Sequence, residues 1–162
     1  MADKRVRMLL EDFHYDPLSG VFVRQNAQHK SLIGVPITTE SKDGYLVIYM
    51  KGHPYLLHRC AVAWMTSSWP VGPVDHINGN RVDNRWSNLR LVSSGVNSQN
   101  QRRAHGDSAL GILGVSPHGK RGFRAQIRVD GRQKHLGTFP TAEEASAAYL
   151  NAKRAMHEGC TL

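Results

Sequence analysis

Cysteine is scarce in this chain. Cys60 and Cys160 stand alone, with no CxxC pair. That excludes a disulfide framework and a four-cysteine zinc site, and it fits two ordinary thiols in a reducing compartment. Long apolar runs are also missing. No stretch approaches the ~20 residues needed to span a bilayer, and the opening MADKRVRMLL is too short and too charged for a signal peptide. A cytoplasmic protein with no membrane partner is the expectation. No internal repeat is visible. Acidic side chains are outnumbered, 13 against 21 Lys and Arg, for a net charge of +8. A polyanionic partner suits that balance, although the balance alone does not identify one. With 162 residues, the chain is long enough for one ordinary domain or two small ones.

What is present begins with local signals. Val6, Leu9, Leu10 and Phe13 fall at helical spacing, and Asp3 is available as a cap, so a helix is expected over Asp3 to Phe13. YDPLSG reads as a turn, Val21 to Arg24 as a short strand, and Asn26 to Gly34 as a loop. GYLVIYM and the residues from Tyr55, joined by KGHP, read as a hairpin that runs into a helix over Leu57 to Met65. SSWPVGP breaks that helix.

The next stretch, Val74 to Asn100, reads VDHINGNRVDNRWSNLRLVSSGVNSQN. It is a poor recipe for a core and a good one for hydrolysis. Cleaving a phosphodiester requires a water to be deprotonated, and the charge on the phosphate and leaving oxygen to be neutralised. A histidine suits the first task near neutral pH, and a divalent metal suits the second. A hard ion such as Mg²⁺ takes oxygen ligands, often only one or two from protein. Asp75 and the amide oxygen of Asn97 are ligands of that type, and His76 is a base of that type. Neighbours in a strand point to opposite faces, so Asp75 and His76 can share a site only if the strand ends there, as the INGN turn suggests. Taken singly, Asp75, Asn88 and Asn97 also fit ordinary turn and cap chemistry. Asn78, Asn80, Asp83 and Asn84 read as loop residues, Trp86 and Leu89 as core, and Asn100 as a cap, a DNA contact or neither. Ser93 is a suitable cap for a helix running to Arg103.

Ala104 to Gly111, AHGDSALG, has linker composition. Beyond it, Gly114 to Ser116, Gly122 to Val129 and Gln133 to Thr138 read as three strands, with Asp130-Gly131 as a hairpin turn. Thr141 to Met156 reads as a helix opened by Thr141 and Glu144, with Ala145, Ala148, Tyr149 and Ala152 as its packing stripe. Lys120, Arg121, Arg124, Arg128, Arg132 and Lys134 crowd this region, opposed only by Asp130. Alternation puts Arg124, Gln126 and Arg128 on one face, and Phe123, Ala125, Ile127 and Val129 on the other. Arg and Gln are natural partners for guanine and adenine in the major groove. A solvated charged face is the plainer alternative.

Two resemblances attach to these residues. VDHINGNRVDNRWSNLRLVSSGVNSQN resembles the motif of phage-type HNH homing endonucleases, whose ββα-metal fold runs strand, loop, strand, helix. The resemblance implies His76 as general base, Asp75 and Asn97 as ligands of one Mg²⁺ or Mn²⁺ ion, and Asn88 as the residue that pins the loop. No structural zinc is expected. The preceding LLHRCAVAWM resembles the segment before that motif, with His58 and Arg59 as its HR pair. Arg59 is a candidate phosphate contact, and His58 is either structural or close to the phosphate. Residues 111–159 resemble an AP2 domain through Gly114-Val115, Phe123 to Arg128, Leu136 to Phe139, Thr141 to Ala145 and Ala148-Tyr149. That resemblance implies a three-stranded sheet in the DNA major groove, with Arg124, Gln126, Arg128, Arg132 and Lys134 as contacts. Phe123 stands where plant members usually carry tryptophan and Ser116 where arginine is frequent, so those two contacts do not carry over.

The expectation is therefore an α+β protein. An HNH nuclease domain with an N-terminal extension would occupy residues 1–105, a linker 106–111, and a three-stranded antiparallel sheet packed on one helix 112–162. The function expected is metal-dependent, site-directed cleavage of double-stranded DNA by a monomer with no obligate protein partner, in the host cytoplasm if the gene belongs to a phage. A non-catalytic DNA-binding regulator is the alternative. A binder of structured RNA comes third.

Overall fold

The first helix forms because its start is capped and one face is apolar. The side chain of Asp3 accepts the backbone N–H of Arg5 at 2.9 Å, satisfying one of the donors a helix N-terminus leaves over. In the computed structural model, which describes residues 3–26, 29–99, 104, 108–157 and 160, this helix is α1 (Lys4–Asp12), with Val6 and Leu9 buried. Phe13 is already extended and opens a strand, so the helix ends one residue earlier than expected. The chain divides into two units, Met1–Ser94 and Gly95–Leu162.

In the first unit, β1 (Phe13–Tyr15) pairs antiparallel with β2 (Phe22–Arg24), and the Tyr15 ring stacks on Phe22 at 4.6 Å between centroids. Phe13 also continues the helical spacing of Val6 and Leu9, so β1 left no signal of its own in the sequence. The polar segment after β2 holds one short 3-10 turn, Lys30–Leu32. β3 (Val47–Met50) and β4 (His53–Leu56) form the expected hairpin. Its turn is only Lys51 and Gly52, both at positive φ (50° and 79°), as a two-residue primed turn requires. His53 and Pro54, expected in the turn, belong to the strand instead; a two-stranded sheet consists only of edges, so Pro54 costs it no interior bond. α2 (Leu57–Thr66) follows at once and stops at Ser67, which is left-handed at φ 52°. Its Cys60, Ala61, Val62 and Ala63 pack with Leu9, Phe13, Tyr15, Phe22 and Ile48 into one core. Burial raises the Cys60 thiol pKa, which suits an inert core thiol. β5 (Val74–His76) and β6 (Leu89–Leu91) form the last hairpin of this unit, and α3 (Ser94–Gln99) begins at its boundary. The part of the expected helix from Asn100 to Arg103 lies outside the described residues, as do residues 106 and 107 of the expected linker.

In the second unit, β7 (Val115–Pro117), β8 (Phe123–Val129) and β9 (Arg132–Phe139) form an antiparallel sheet in sequence order. Asp130 and Gly131 make the tight turn between β8 and β9, at φ 50° and 76°. α4 (Ala142–Met156) packs on the sheet. Thr141 caps it, its hydroxyl accepting the Glu144 N–H at 3.2 Å. Ala145, Tyr149 and Ala152 are buried against Val115, Ala125 and Ile127. Gly114, at φ 67°, lies so close under Tyr149 that a Cβ there would sit 2.0 Å from its ring. The small-residue stripe and this glycine let the helix lie close to the sheet. No helix among the described residues is long and apolar enough to cross a membrane.

Candidate active site

The hairpin of β5 and β6 builds the site. Its register places Val74 opposite Leu91, Asp75 opposite Arg90 and His76 opposite Leu89. Residues directly opposite share a face, so Asp75 meets Arg90 across the strands. Arg90 Nε and Nη2 donate to one carboxylate oxygen, Asp75 Oδ2, at 3.0 and 2.9 Å. His76 is the last residue of its strand, and the chain turns immediately, with Gly79 N–H donating to the His76 carbonyl at 2.9 Å. The strand therefore ends where the INGN sequence suggested.

His76 is buried, with 4% of its surface exposed, and its Nε2 lies 3.1 Å from the side-chain oxygen of Asn84. Asn84 was expected to be an ordinary loop residue. It is instead 1% exposed and the direct partner of the histidine. The other loop residues do what turn chemistry predicts. Asn78 Oδ1 accepts the Asn80 N–H at 2.8 Å, and Asn80 Oδ1 accepts the Val82 N–H at 3.2 Å. Asp83 takes two hydrogen bonds from the Arg85 guanidinium, chiefly for which reason its carboxyl pKa falls to about 2.

Asn88 ties this loop down from the short 3-10 turn (Trp86–Asn88) that leads into β6. Its Oδ1 accepts the Asn78 N–H at 2.9 Å, while its Nδ2 donates to Asn78 Oδ1 at 3.0 Å and to the Asp83 carbonyl at 2.7 Å. These bonds use both polar atoms of a buried amide and close residues 78–83 into a fixed loop. Trp86, expected in the core, has 36% of its surface exposed, whereas Leu89 is buried as expected.

A second histidine stands against the first. His58, in the first turn of α2, meets His76 edge to face at 5.0 Å between ring centroids, and Tyr45 lies 5.1 Å from His58. Burial, the neighbouring His76 and Arg59 push the His58 pKa down to about 3. Its Nδ1 is shut off from solvent and has no hydrogen-bond partner among the described residues. Burial also lowers the His76 pKa, against a raising contribution from its bond to Asn84. Both rings are therefore neutral at pH 7, and a neutral imidazole can accept a proton.

Arg59 donates to the carbonyls of Gly72 (3.0 Å) and Pro70 (2.6 Å), so its guanidinium fastens α2 to the segment before β5. That is an internal task, and the phosphate contact expected of Arg59 stays an expectation. Asn97 is exposed on α3, beyond Ser94 where the first unit ends. Asn100 lies outside the described residues. The roles of Asn84 and Arg90 were missed in the sequence. Arg90 could have been found as the arginine that faces Asp75 once the two strands are paired, whereas Asn84, the third asparagine after His76, carried no local signal.

The donor set bears on the metal that the HNH resemblance implies. Among the described residues no group of three or more His, Cys, Asp or Glu is arranged to hold an ion. One carboxylate with amide oxygens fits a hard divalent ion that keeps most of its water, and Arg90 fixes the carboxylate by a single oxygen.

In the second unit the pairing sorts the basic residues by face. Arg124 lies opposite Thr138, Gln126 opposite His135 and Arg128 opposite Gln133. Gln133 Nε2 donates to Gln126 Oε1 at 2.7 Å across that face. Ile127 lies opposite Lys134 and Val129 opposite Arg132. Arg132 and Lys134 thus belong to the α4 side of the sheet, and Lys134 Nζ reaches Met156 Sδ at 3.9 Å. A bulge between Ala125 and Gln126 leaves Leu136 as the extra residue of β9, and Leu136 packs into the core.

Three comparisons bear on this arrangement. Residues 55–99, which contain α2, the β5–β6 hairpin and α3, match the family model of the HNH endonucleases. Over that segment the chain is therefore similar to the HNH endonucleases. No curated protein matches it significantly. Among solved structures, it aligns with "DNA binding and cleavage by the HNH homing endonuclease I-HmuI" at 22% identity, covering 91% of this chain and 88% of that one, with a TM-score of 0.42.

Proposed function

We propose that the HNH endonuclease segment at residues 55–99 makes this chain a metal-dependent, site-directed DNA endonuclease of the phage homing or nicking type. The observation that carries the reading is a buried, neutral histidine at the end of β5, held by hydrogen bonding inside the matched segment.

The chain's own groups have separable tasks. His76 takes the proton from the attacking water, since its depressed pKa keeps it unprotonated near neutral pH. Asn88 keeps the 78–83 loop closed, so the ring sits against a fixed wall. Asp75, oriented by Arg90, holds the divalent ion, Mg²⁺ or Mn²⁺; Asn97 is assigned as its second ligand on the order of the motif alone. When bound, such an ion supplies positive charge to the scissile phosphate and the leaving 3′ oxygen.

The second unit supplies the duplex. Its resemblance to AP2 domains and its open sheet face, which carries Arg124, Gln126 and Arg128, support major-groove binding. Arg132 and Lys134, on the other face, are better placed for flanking phosphates than for bases. The protein is proposed to act as a monomer on double-stranded DNA.

The test is plasmid nicking with Mg²⁺ or Mn²⁺, with and without chelator, comparing wild type with His76→Ala. The expected result is metal-dependent nicking that the substitution reduces by roughly 10²–10⁴-fold. Absence of metal-dependent cleavage on any DNA, the source genome included, would leave the chain a DNA-binding regulator.

A further inference from the structure

Asn84 joins two parts of the first unit that the sequence keeps far apart. On one side its amide faces His76. The side-chain oxygen lies 3.1 Å from Nε2, and the amide nitrogen is turned toward the Val82 carbonyl at 3.4 Å. That second contact fixes which end of the amide is oxygen, because two carbonyls would repel each other while an N–H and a carbonyl attract. An amide oxygen only accepts, so the Nε2 atom must donate. In the neutral ring the proton then sits on Nε2 and the lone pair on Nδ1.

On the other side, the backbone of Asn84 and its neighbours is gripped by the β1–β2 hairpin. Tyr15 Oη donates to the Asn84 carbonyl at 2.7 Å, across 69 residues of sequence. Trp86 N–H donates to the Pro17 carbonyl at 3.0 Å. Gly20, at φ 77°, lies so close that a Cβ would come within 2.4 Å of Arg85 N and 2.6 Å of the Asn84 carbonyl carbon. Any side chain at position 20 would push the Asn84–Arg85 backbone away. Residues 13–22 lie outside the matched segment 55–99, yet they make these three contacts with its loop.

We propose that Asn84 is a positioning residue for His76, setting its ring proton on Nε2 and its lone pair on Nδ1, and that the β1–β2 hairpin holds Asn84 in place from behind. This rests on the reading of His76 as the general base. Asn88 closes the loop; Asn84 selects the tautomer. The N-terminal hairpin is then part of the active-site scaffold.

The test uses the full chain with ¹⁵N-labelled imidazoles, at a pH where His76 is neutral. Long-range ¹H–¹⁵N spectra report the tautomer, with His76→Gln assigning the signals. Steady-state nicking gives kcat and KM separately. Asn84→Ala is expected to shift the ring toward the Nδ1-protonated form and to lower kcat by about 10²-fold or more, with KM little changed, since a wrong tautomer defeats a base without affecting binding. Asn84→Asp keeps an acceptor and is expected to keep the Nε2–H form with most of the activity. Tyr15→Phe removes only the hydroxyl and is expected to give a partial shift and a smaller loss.

A wild-type ring protonated on Nδ1 overturns the proposal. So does a tautomer unchanged in Asn84→Ala, or one that shifts with kcat intact. Should Asn84→Ala fail to fold by circular dichroism, Asn84→Asp and Tyr15→Phe still decide the matter: a wild-type tautomer and wild-type kcat in Tyr15→Phe refute the hairpin's part, and an Nδ1-protonated ring in Asn84→Asp refutes the acceptor's. Cleavage that survives His76→Ala overturns the general-base reading, while the spectra decide the tautomer separately.

Discussion

The two units use polar side chains in opposite ways. Around His76 nearly every polar group is spent inside the protein: Asp75 on Arg90, His76 on Asn84, Asn88 on Asn78 and Asp83. On the sheet of the second unit, among the described residues, Arg128 and His135 have no side-chain hydrogen-bond partner, and Gln126 and Gln133 bond to each other. Charge follows the same division. Residues 1–94 carry eleven Lys and Arg against eight Asp and Glu, while residues 95–162 carry ten against five. A catalytic group gains from being fixed before substrate arrives, because ordering it then costs the reaction nothing. A recognition surface gains from donors left for the ligand, because a donor already satisfied at home has to be freed first.

The comparison predicts that damage to the first unit costs chemistry and damage to the second costs affinity. The largest effect is expected of Asp75→Ala. Cleavage should fall by roughly 10²–10⁴-fold in a nicking assay, while duplex affinity by fluorescence anisotropy at fixed salt stays within about twofold. An equal loss of binding would break the division between units. Next comes the double substitution Arg124→Ala with Arg128→Ala. Binding should weaken by roughly 10–100-fold and its salt dependence become shallower, with kcat at saturating DNA unchanged. Arg132→Ala and Lys134→Ala should each do less, since both lie on the helix side of the sheet.

Stability against pH gives a third, smaller effect, confined to the first unit. The folded-state pKa of His58 is depressed to about 3, so the unfolded chain binds its proton first. The stability this buried ring allows is complete above its ordinary value near 6.5, and is lost as pH falls toward 3. Between pH 6 and 4 the wild type should lose stability faster than His58→Phe, by roughly 1 kcal/mol per pH unit, in urea melts followed by a first-unit tryptophan signal. Parallel slopes would show that His58 is protonated without cost. The smallest effect is expected of Asn88→Ala. It should cost about 1–3 kcal/mol and raise amide exchange in residues 78–83 specifically, leaving the second unit unchanged.

Much of this was legible in the residues. The caps at Asp3 and Thr141, the Asp130-Gly131 turn and the alternation through Phe123 to Val129 are short-range signals, each read by a few neighbours. The Asp75-His76 pair was visible for the same reason, while the loop-closing role of Asn88 was implied only by the resemblance of its motif. Arg90 and Asn84 were not, and neither was the internal use of Arg59. Among several similar loop asparagines, nothing local separates Asn84 from Asn80. The difference is that one lies under the β1–β2 hairpin and the other lies in solvent.

The sequence by itself determined most of the elements, the chemical types available at the site and the excess of positive charge in the second half. Tertiary structure alone decided which of those groups meet. Strand register put Arg90 opposite Asp75 and moved Arg132 and Lys134 to the helix side of their sheet. A contact across 69 residues made Asn84 the partner of His76 and the N-terminal hairpin its support. Helix caps and turns are decided within a few residues because the interacting groups are covalently close. The environment of a catalytic histidine is decided by burial and pairing, which depend on parts of the chain that come together only on folding.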